Sequence, residues 1–383
     1  MNRSVFEKSY IKDIAKEIAG KVCNNCLGRQ FAKVSTGMTN RKRGEIIRRA
    51  IRLPEPPNCS VCNDLFKNLD KYADISIKKL KGIEFRTFVF GCRLPKEIIK
   101  NEENIWEEIG IEHCEPIKSE INREIGKIIE KKAKYRFKRE RPDVTILFDF
   151  AKNTPSIEIS SVFIAGRYKK FVRNISQSRW KKYKESVESV IGKPILKVTR
   201  ADETAFHGAG REDVDARCLD WRPFVIEIVR PKKRAVNLSK IKAGVNKTKK
   251  VAISCLKLGT MDDVRAVKKM RPDKTYSIVV EFEKPAENLD ALKDSIGIIM
   301  QKTPTRVLHR RADRLRKRKI KSINFKKIGR KKIVLEVRGE AGLYAKEFVT
   351  GDNGRTRPSV AEILKNPAKV ISLDVTKIHL GKR

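Results

Sequence analysis

The chain has 383 residues, with 88 lysines and arginines against 47 acidic residues and a formal net charge of +41. This excess favours a polyanionic partner, and nucleic acid is the first choice because phosphate contacts give affinity that is independent of sequence. An anionic membrane surface is the alternative, but no apolar run approaches the roughly 20 residues that span a bilayer, and residues 1–20 lack the apolar core of a signal peptide. We therefore expect a globular, cytoplasmic protein of two or three domains that does not associate with membranes.

The first elements along the chain are two predicted helices. Apolar residues at helical spacing predict a first helix that begins after Ser4 and ends at Gly20. A second helix is predicted from Thr39, and three prolines between residues 54 and 57 force a loop after it.

Two Cys-x2-Cys pairs lie on either side of this second helix, separated by 32 residues. Each pair has the spacing to place two thiolates on one metal ion, and four thiolates complete a closed tetrahedral site. Free buried cysteines and two disulfides are the alternatives, although disulfides are disfavoured in a chain without a secretion signal. We predict a structural zinc ion held by Cys23, Cys26, Cys59 and Cys62, with no open position for chemistry.

The middle of the chain has an α+β pattern. Strands are predicted at residues 83–92, 141–150 and 156–166 from β-branched content and alternation. Residues 95–131 are predicted to be helical, with a break at 110–116.

The remainder is richer in strands. They are predicted at residues 222–229, 274–283, 331–339 and 370–379, and residues 288–300 are predicted to be helical. Because strands and helices do not alternate strictly, a mixed α+β fold with mostly antiparallel strands is favoured over a doubly wound sheet.

Two segments are dense in cations. Residues 309–332 contain 13 lysines and arginines against one acidic residue, Asp313, which fits either a solvated basic helix or an arm that grips RNA. We favour the arm. Residues 167–184 interleave cations with aromatic side chains and are a second candidate RNA contact.

An acidic turn stands out against this positive charge. The stretch HGAGREDVDAR, residues 207–217, carries Glu212, Asp213 and Asp215 between two arginines. Such carboxylates can orient arginines, or one of them can act as nucleophile or base. No P-loop is present, and GAG at 208–210 lacks the dinucleotide pattern and an obvious preceding strand, so no organic cofactor is indicated. The residues alone leave open a non-catalytic RNA-binding or ribosome-assembly protein and an RNA-modifying enzyme.

At GREDVDAR the chain resembles pseudouridine synthases, whose Gly-Arg-x-Asp signature lies at the active-site turn. The segments FHGAGREDVD, RPFVIEI, QKTPTRVLHRRADRLR and YAKEFVTGDNGRTRPS are similar to successive motifs of the archaeal and eukaryotic type-ten tRNA pseudouridine synthases. CNNCLGRQFA and CSVC resemble the zinc-containing head of that family. The resemblance implies a mixed, largely antiparallel catalytic core over residues 156–383, which includes a basic arm at 309–332. It also implies an α/β accessory domain over 1–155, with the zinc head at about 1–70 and a THUMP-like RNA-binding part at about 71–155.

The implied activity is isomerisation of uridine 55 in the TΨC arm of tRNA, and of uridine 54 as well in archaeal members. The family uses no organic cofactor, and tRNA is the one partner implied, with no obligatory protein partner. Asp213 matches the catalytic aspartate, which attacks the flipped uridine at ribose C1′ or base C6 or assists release of the base. Tyr276 matches the tyrosine that stacks on the target base, and Lys346 the basic partner that keeps the aspartate ionised.

The other expected substrate contacts flank these residues. Leu373 matches an apolar pocket residue, and Ala345 stands where the family usually has isoleucine. Further expected contacts with RNA are Arg211, Arg310 and Arg311. Glu212 and Asp215 are expected to orient the turn and its arginines, Arg211 or Arg217. The segment CLDWRPF lacks the two glycines that the family tends to have after the turn, which leaves the conformation of the chain there open.

Overall fold

The structure, a computed structural model, describes residues 9–381. The predicted start of the first helix after Ser4 lies outside the described residues. Within residues 9–381, no helix combines the length and the apolar character needed to cross a membrane. The chain divides into two compact units, Met1–Ser160 and Ser161–Arg383.

The N-terminal unit combines helices with a small sheet. Its helices are α1 (Ser9–Ala19), α2 (Asn24–Arg29), α3 (Asn40–Ile51), α4 (Leu69–Lys79), α5 (Lys96–Ile109) and α6 (Ile117–Ala133). Its strands are β1 (Thr87–Arg93), β2 (Arg136–Phe137), β3 (Val144–Asp149) and β4 (Thr154–Ile159). The strand order is β2-β1-β3-β4, in which β1 is parallel to β2 and β3 and β4 is antiparallel to β3.

The core of this unit follows from helical periodicity. Ile121, Ile125 and Ile129 of α6 recur every four residues and are fully buried with Phe88 and Phe148 of the sheet. The predicted break in the helical segment is confirmed, because α5 ends at Gly110 and α6 begins directly after Pro116. The predicted strand at residues 156–166 is two strands, β4 and β5, and the division between the units falls between them. The predicted domain boundary at 155/156 therefore lies within β4.

Two glycines allow α2 and α3 to pack in direct backbone contact. A Cβ added at Gly28 would lie 1.8 Å from the carbonyl oxygen of Asn40, and one at Gly44 would lie 2.0 Å from that of Asn24. Backbone atoms cannot move aside as a flexible side chain does. The glycines therefore set the distance between these helices, and α2 also carries one of the predicted metal ligands, Cys26, with Cys23 directly before it.

We expect Gly44→Ala to destabilise the N-terminal unit by roughly 1–3 kcal/mol or more, the usual cost of overpacking. Gly126→Ala in α6 is the matched control, because its Cβ would meet nothing within 4 Å and alanine favours helix by about 1 kcal/mol over glycine. Urea unfolding followed by the fluorescence of Trp106, with Trp180 and Trp221 replaced by phenylalanine, measures both. Equal stability of the two variants would contradict the packing argument.

The second unit is built on a ten-stranded sheet. Its strands are β5 (Val162–Lys170), β6 (Glu203–Gly208), β7 (Arg217–Val229), β8 (Val251–Gly259), β9 (Asp273–Phe282), β10 (Gly297–Gln301), β11 (Arg316–Gly329), β12 (Lys332–Gly339), β13 (Thr356–Arg357) and β14 (Ala368–His379). The order is β13-β10-β11-β12-β9-β14-β7-β5-β8, and β6 pairs with β7. Among the described strands of this sheet the pairing of β14 with β7 is parallel and the others are antiparallel. This confirms the predicted mixed, largely antiparallel sheet.

Helices cover two parts of this sheet. They are α7 (Val187–Thr199), α8 (Leu238–Asn246), α9 (Met261–Lys269), α10 (Ala345–Thr350) and α11 (Val360–Ile363). Buried residues of α7 and α8 pack with β5, β7 and β8, while those of α10 and α11 pack with β9, β11, β12 and β14.

One prediction about local structure in this unit is wrong, and one of two alternatives left open is excluded. Residues 288–300, predicted to be helical, form a short 3-10 helix, Leu289–Ser295, followed by strand β10. Gly297, the first residue of β10, has a φ of 135°, which a helix does not accept. Within residues 309–332 the main element is strand β11, not a solvated basic helix. Ile320 and Ile323 of β11 are buried, so this strand is part of the sheet despite its charge.

Candidate active site and candidate metal centre

The acidic turn connects two paired strands. β6 and β7 are antiparallel, and residues 209–216 join them. A strand therefore precedes GAG, contrary to the sequence interpretation. Gly210 has a φ of +77°, a conformation that favours glycine, and the amide of Ala209 donates to the carbonyl of Pro223. The segment CLDWRPF, whose conformation the sequence left open, lies within the continuous strand β7.

The side chain of Glu212 anchors the turn to a set of buried polar residues. The side chain of Glu212 is completely buried and accepts hydrogen bonds from the Tyr168 hydroxyl at 3.0 and 3.2 Å. Arg222, also fully buried, lies 3.3 Å from the same carboxylate. Burial alone would lower the pKa of Arg222, but the Glu212 carboxylate raises it, so the buried guanidinium stays charged. Lys170 donates to the carbonyls of Asp213 and Val214, both at 3.2 Å.

These contacts correct the expected partners of the acids. Glu212 contacts Tyr168 and Arg222, neither of which lies in the turn. Arg217 pairs with Asp374 of β14 at 2.6 Å. Arg211 is exposed and makes no hydrogen bond or ion pair with the other described residues.

Asp213 is held by two cations and remains partly exposed. Its two carboxylate oxygens each lie 3.2 Å from a terminal nitrogen of Arg306, in a bidentate arrangement. Lys346 Nζ is 3.5 Å from Asp213 and only 2.7 Å from Asp215. The predicted partner Lys346 is thus within ion-pair distance of Asp213, but Arg306 is the closer cation.

Arg306 was not predicted from the sequence as a site residue. It lies in the 3-10 helix Thr305–Arg310, and its Nε donates to Glu347 of α10 at 2.7 Å. Burial would lower the pKa of Arg306, but the carboxylates of Glu347 and Asp213 raise it. The available signal was its place in the motif QKTPTRVLHRRADRLR, which marks the segment but not this contact.

Tyr276, Leu373 and Ala345 belong to one buried apolar cluster. Tyr276 lies in β9 opposite Val375 of β14, and Leu373 lies opposite Ile278, two residues further along β9. Burial raises the pKa of Tyr276 to about 12. The charge of Arg222 acts to lower this pKa, and the Asp213 carboxylate acts to raise it. The tyrosine is therefore within electrostatic reach of Asp213 and neutral near pH 7.

The remaining predicted contacts, Arg310 and Arg311, follow Arg306 closely in the chain. Both are exposed, and Arg311 donates to the hydroxyl of Tyr344 at 3.0 Å. Tyr344 immediately precedes Ala345, so this arginine reaches the start of α10. The structure thus connects one end of the basic segment to the elements that hold Asp213.

A second residue that sequence reasoning missed is Lys274, two positions before Tyr276. It is buried, and its Nζ lies 3.5 Å from where a Cβ would stand on Gly210. It donates to the carbonyl of Pro272 at 3.3 Å. Burial lowers the pKa of Lys274 to about 8, and the nearby charge of Arg222 adds to this effect. The turn therefore rests on a lysine whose charge is costly to bury.

We expect Lys274→Met to raise the free energy of unfolding at pH 7 by up to about 3 kcal/mol. The lysine titrates near 8 in the folded chain and near 10.5 in the unfolded chain. Below pH 8 both states carry the charge and the full penalty applies. Between about pH 8 and 10.5 the unfolded chain binds more protons, so the wild type gains stability relative to the variant. Urea unfolding of both proteins across this range measures the gap, and a gap that widens with pH would contradict the assignment.

The four predicted metal ligands come together in the N-terminal unit. Cys23 immediately precedes α2 and Cys26 lies within it, while Cys59 and Cys62 lie in a turn closed by hydrogen bonds from Asn63 and Leu65. All four are buried, and their sulfur atoms lie within 4.8 Å of one another. The sulfur atoms of Cys23 and Cys62 are 3.7 Å apart. Tetrahedral zinc with bonds of about 2.3 Å separates its thiolates by about 3.8 Å, so these cysteines could hold a metal ion of that size.

Family models of known proteins match segments of both units of the chain. The family model described as Pus10, C-terminal, matches residues 163–379, and the model described as Pus10 THUMP domain, archaeal, matches residues 72–149. Relatives named tRNA pseudouridine synthase Pus10 occur in Methanothrix thermoacetophila, Pyrococcus furiosus and Archaeoglobus fulgidus. The first is 36% identical over 94% of this chain and 92% of its own length. The second is 38% identical over 96% and 98%, and the third 40% identical over 84% and 94%.

These matches define an enzyme of the pseudouridine synthase class. The chain belongs to the Pus10 family, which confirms the family and the enzyme class predicted from the motifs. The THUMP match falls within the residues that were expected to be THUMP-like.

Proposed function

We propose that this chain converts uridine 55, and also uridine 54, of the TΨC arm of tRNA into pseudouridine, with Asp213 as the catalytic carboxylate. The observation that carries the proposal is the different state of the three acids in the turn. Glu212 is completely buried against Arg222, and Asp215 is bonded to Lys346 at 2.7 Å. The side chain of Asp213 is 36% exposed and that of Asp215 is 59% exposed, so both can reach a substrate. Among the three acids of the turn, Asp213 is the one that is both accessible and aligned by two cations, Arg306 in a bidentate contact and Lys346 at 3.5 Å.

The reaction is an isomerisation and needs no oxidant or reductant. The bond between N1 of uracil and C1′ of ribose breaks, and a bond between C5 and C1′ forms. The proton on C5 is lost, and N1 gains one. Asp213 attacks C1′ or C6 of the flipped uridine, or assists release of the base, and Arg306 and Lys346 hold the carboxylate in position for this step. No organic cofactor takes part in this chemistry.

The target base is placed in the apolar cluster beside the turn. Extruding a uridine from the loop of tRNA costs stacking energy, and an aromatic ring in the pocket offsets part of this cost. Tyr276 supplies the ring, while Leu373 and Ala345 line the pocket. Alanine leaves more room here than the isoleucine usual in the family.

The RNA backbone is bound by unpaired cations. Arg211 and Arg310 are exposed, and so are four lysines of β11 that make no ion pair with the other described residues: Lys317, Lys319, Lys326 and Lys327. Each phosphate contact releases counterions, so tRNA affinity should fall steeply with salt concentration. The basic segment 309–332 acts in this way as the arm that grips tRNA.

The four cysteines hold a structural zinc ion in this proposal. Their number, burial and sulfur separations suit a closed tetrahedral site, which leaves no coordination position for substrate. The ion links the start of α2 to the turn that precedes α4. Its role is to stabilise the N-terminal unit, not to take part in the reaction.

An unmodified tRNA transcript tests the proposed activity. After incubation with the protein, carbodiimide treatment and reverse transcription should give stops that report pseudouridine at positions 55 and 54. Transcripts in which either uridine is replaced by cytidine separate the two sites. A non-catalytic RNA-binding protein would bind the transcript and leave both uridines unmodified, and this outcome would refute the proposal.

Arg306→Ala should lower the rate of pseudouridine formation by about 10²–10³-fold, the usual effect of losing one preorganised charge contact at a reacting group. Both Asp213 and Glu347 lose their bidentate partner in this variant. Single-turnover rates at saturating enzyme measure the chemical step apart from binding. Arg265→Ala, which removes an exposed arginine of α9 paired with Asp262, is the control and should leave the rate unchanged. An Arg306 variant that loses affinity but keeps its rate would assign the arginine to RNA binding instead.

A further inference from the structure

The segment between β5 and α7 displays two aromatic rings at the surface of the second unit. Trp180 is 41% exposed, and its ring lies 5.3 Å from that of Tyr183, at an angle of 53°. The amide of Tyr183 donates to the carbonyl of Trp180 at 2.9 Å, which closes a tight turn. The two rings are thus presented together by a four-residue turn.

This exposed turn is fixed in place by its neighbours. Arg179 donates from its backbone amide to Glu188 at 3.2 Å and from its guanidinium to Thr204 at 3.3 Å. Ser176 donates to the carbonyl of Ser178 at 2.6 Å. Leaving a tryptophan ring in water forgoes the free energy that burial would give. An ordered turn that nevertheless keeps its ring exposed is suited to cover a planar ligand.

The charges around the rings indicate the chemistry of that ligand. Three lysines, Lys181, Lys182 and Lys184, are exposed and form no ion pair with the other described residues. Cations interleaved with exposed aromatic rings are typical of surfaces that bind single-stranded nucleic acid, where bases stack and phosphates are neutralised. A purely apolar ligand would not call for unpaired lysines between the two rings and directly after them.

The segment is also bonded directly to the acidic turn. The amide of Asn174 donates to the carbonyl of Val214 at 2.9 Å, and the side chain of Gln177 donates to the carbonyl of Gly210 at 3.0 Å. Trp180 follows Gln177 by three residues, so its Cα lies within about 11 Å of the Cα of Gln177. Trp180 therefore belongs to a segment that is anchored directly to the turn that carries Asp213.

We propose that Trp180, with Tyr183 beside it, is a stacking site for a second unpaired base of the RNA, next to the target uridine, and that the three lysines neutralise its flanking phosphates. The proposal rests on the proposed function in taking the RNA to be the substrate tRNA. The site is separate from the pocket of Tyr276, which receives the reacting base. It holds the strand on one side of the flipped nucleotide and so fixes which uridine reaches Asp213.

Abasic substitution in full-length tRNA tests the proposal base by base. Each nucleotide of the TΨC loop is replaced in turn by an abasic residue, by ligation of a synthetic segment, and the Kd is measured for the wild type, Trp180→Ala and Trp180→Phe. Trp180→Ala should weaken binding of intact tRNA by about tenfold, and Trp180→Phe by much less. At one position of the loop, the abasic substitution should weaken tRNA binding by the wild-type protein. Trp180→Ala should not weaken binding of that abasic tRNA any further, because the base that stacks on the ring is already missing.

Two control variants separate stacking from charge. Phe171→Ala removes another exposed aromatic ring of the same segment but keeps Trp180, so it should lose affinity at the same abasic position as the wild type. Lys181→Ala should weaken binding to every abasic tRNA alike and reduce the dependence of log Kd on log salt by about one.

The proposal would be overturned by three results: no effect of Trp180→Ala, an equal effect at every abasic position, or no binding of tRNA by the wild type. Pseudouridine is mapped in the same wild-type samples, so a failure of the proposed activity is seen separately. A base-specific effect without pseudouridine would retain the stacking site and reject the enzyme reaction.

Discussion

Asp213→Asn is expected to lower the rate of pseudouridine formation by about 10⁴-fold or more, while tRNA affinity changes by no more than about threefold. Asparagine has nearly the same shape, and its amide oxygen can still accept a hydrogen bond from Arg306. It has no negative charge and is not a nucleophile, so the interaction lost belongs to the chemical step. Single-turnover kinetics with unmodified tRNA and a separate Kd measurement distinguish the two effects.

Asp215→Asn is the matched control, because it lies two residues away and pairs with Lys346. Lys346 then has Asp213 as its remaining carboxylate partner among these acids, so the rate should change by only about tenfold. Equal losses in the two variants would mean that the acidic turn acts as a structural unit. A larger loss for Asp215→Asn would transfer the catalytic role to that residue.

Cys59→Ser is expected to remove the bound metal ion and unfold much of the N-terminal unit. Structural zinc sites of this kind contribute on the order of 10–16 kcal/mol of binding free energy in zinc-finger peptides, which exceeds the usual stability of a domain. Serine is a far weaker zinc ligand than a thiolate. Elemental analysis should find one zinc ion in the wild type and little in the variant, and hydrogen exchange should show the loss of protection in α2 and α3.

Cys114→Ser provides the control within the same unit. Cys114 is buried but lies outside the four-cysteine cluster, and its thiol donates to the carbonyl of Gly110 at 3.3 Å, a bond that serine can also make. The zinc content of the Cys114→Ser protein should equal that of the wild type. A wild-type protein that contains no zinc after purification without chelators, and keeps its fold, would refute a structural metal.

Local sequence patterns, such as the alternation of apolar residues and the spacing of cysteines, predicted much of the fold. The alternation in residues 274–283 predicts β9, and the two Cys-x2-Cys spacings predict the four-cysteine cluster. The helix predicted at residues 288–300 was wrong and strand β11 was not predicted, because local pattern and tertiary context disagree in both places. High charge in residues 309–332 obscured the few apolar positions, Ile320 among them, that place β11 in the sheet. Residues 288–300 have helical spacing, but Gly297 ends that pattern and β10 pairs with β11.

Contacts across long separations in sequence explain what the site predictions lacked. Asp213 and Arg306 are 93 residues apart, and no periodicity links them. The motif resemblance selected Lys346 for Asp213, whereas the geometry adds Arg306 and assigns Lys346 chiefly to Asp215. Lys274 was hidden for another reason. A lysine two residues before a tyrosine in a strand is expected at a surface, and only the neighbouring turn buries it.

The position of β14 has a consequence for biogenesis. This strand, Ala368–His379, follows every other described strand in the sequence, yet it lies in the interior of the sheet between β9 and β7. During synthesis the ribosome delivers the two halves of the sheet before the strand that joins them, so their edges stay unpaired until residue 379 has emerged. Late closure by such long-range pairing slows folding and exposes strand edges to aggregation. Nascent chains stalled before this strand should therefore bind chaperones, and those stalled well beyond it should not.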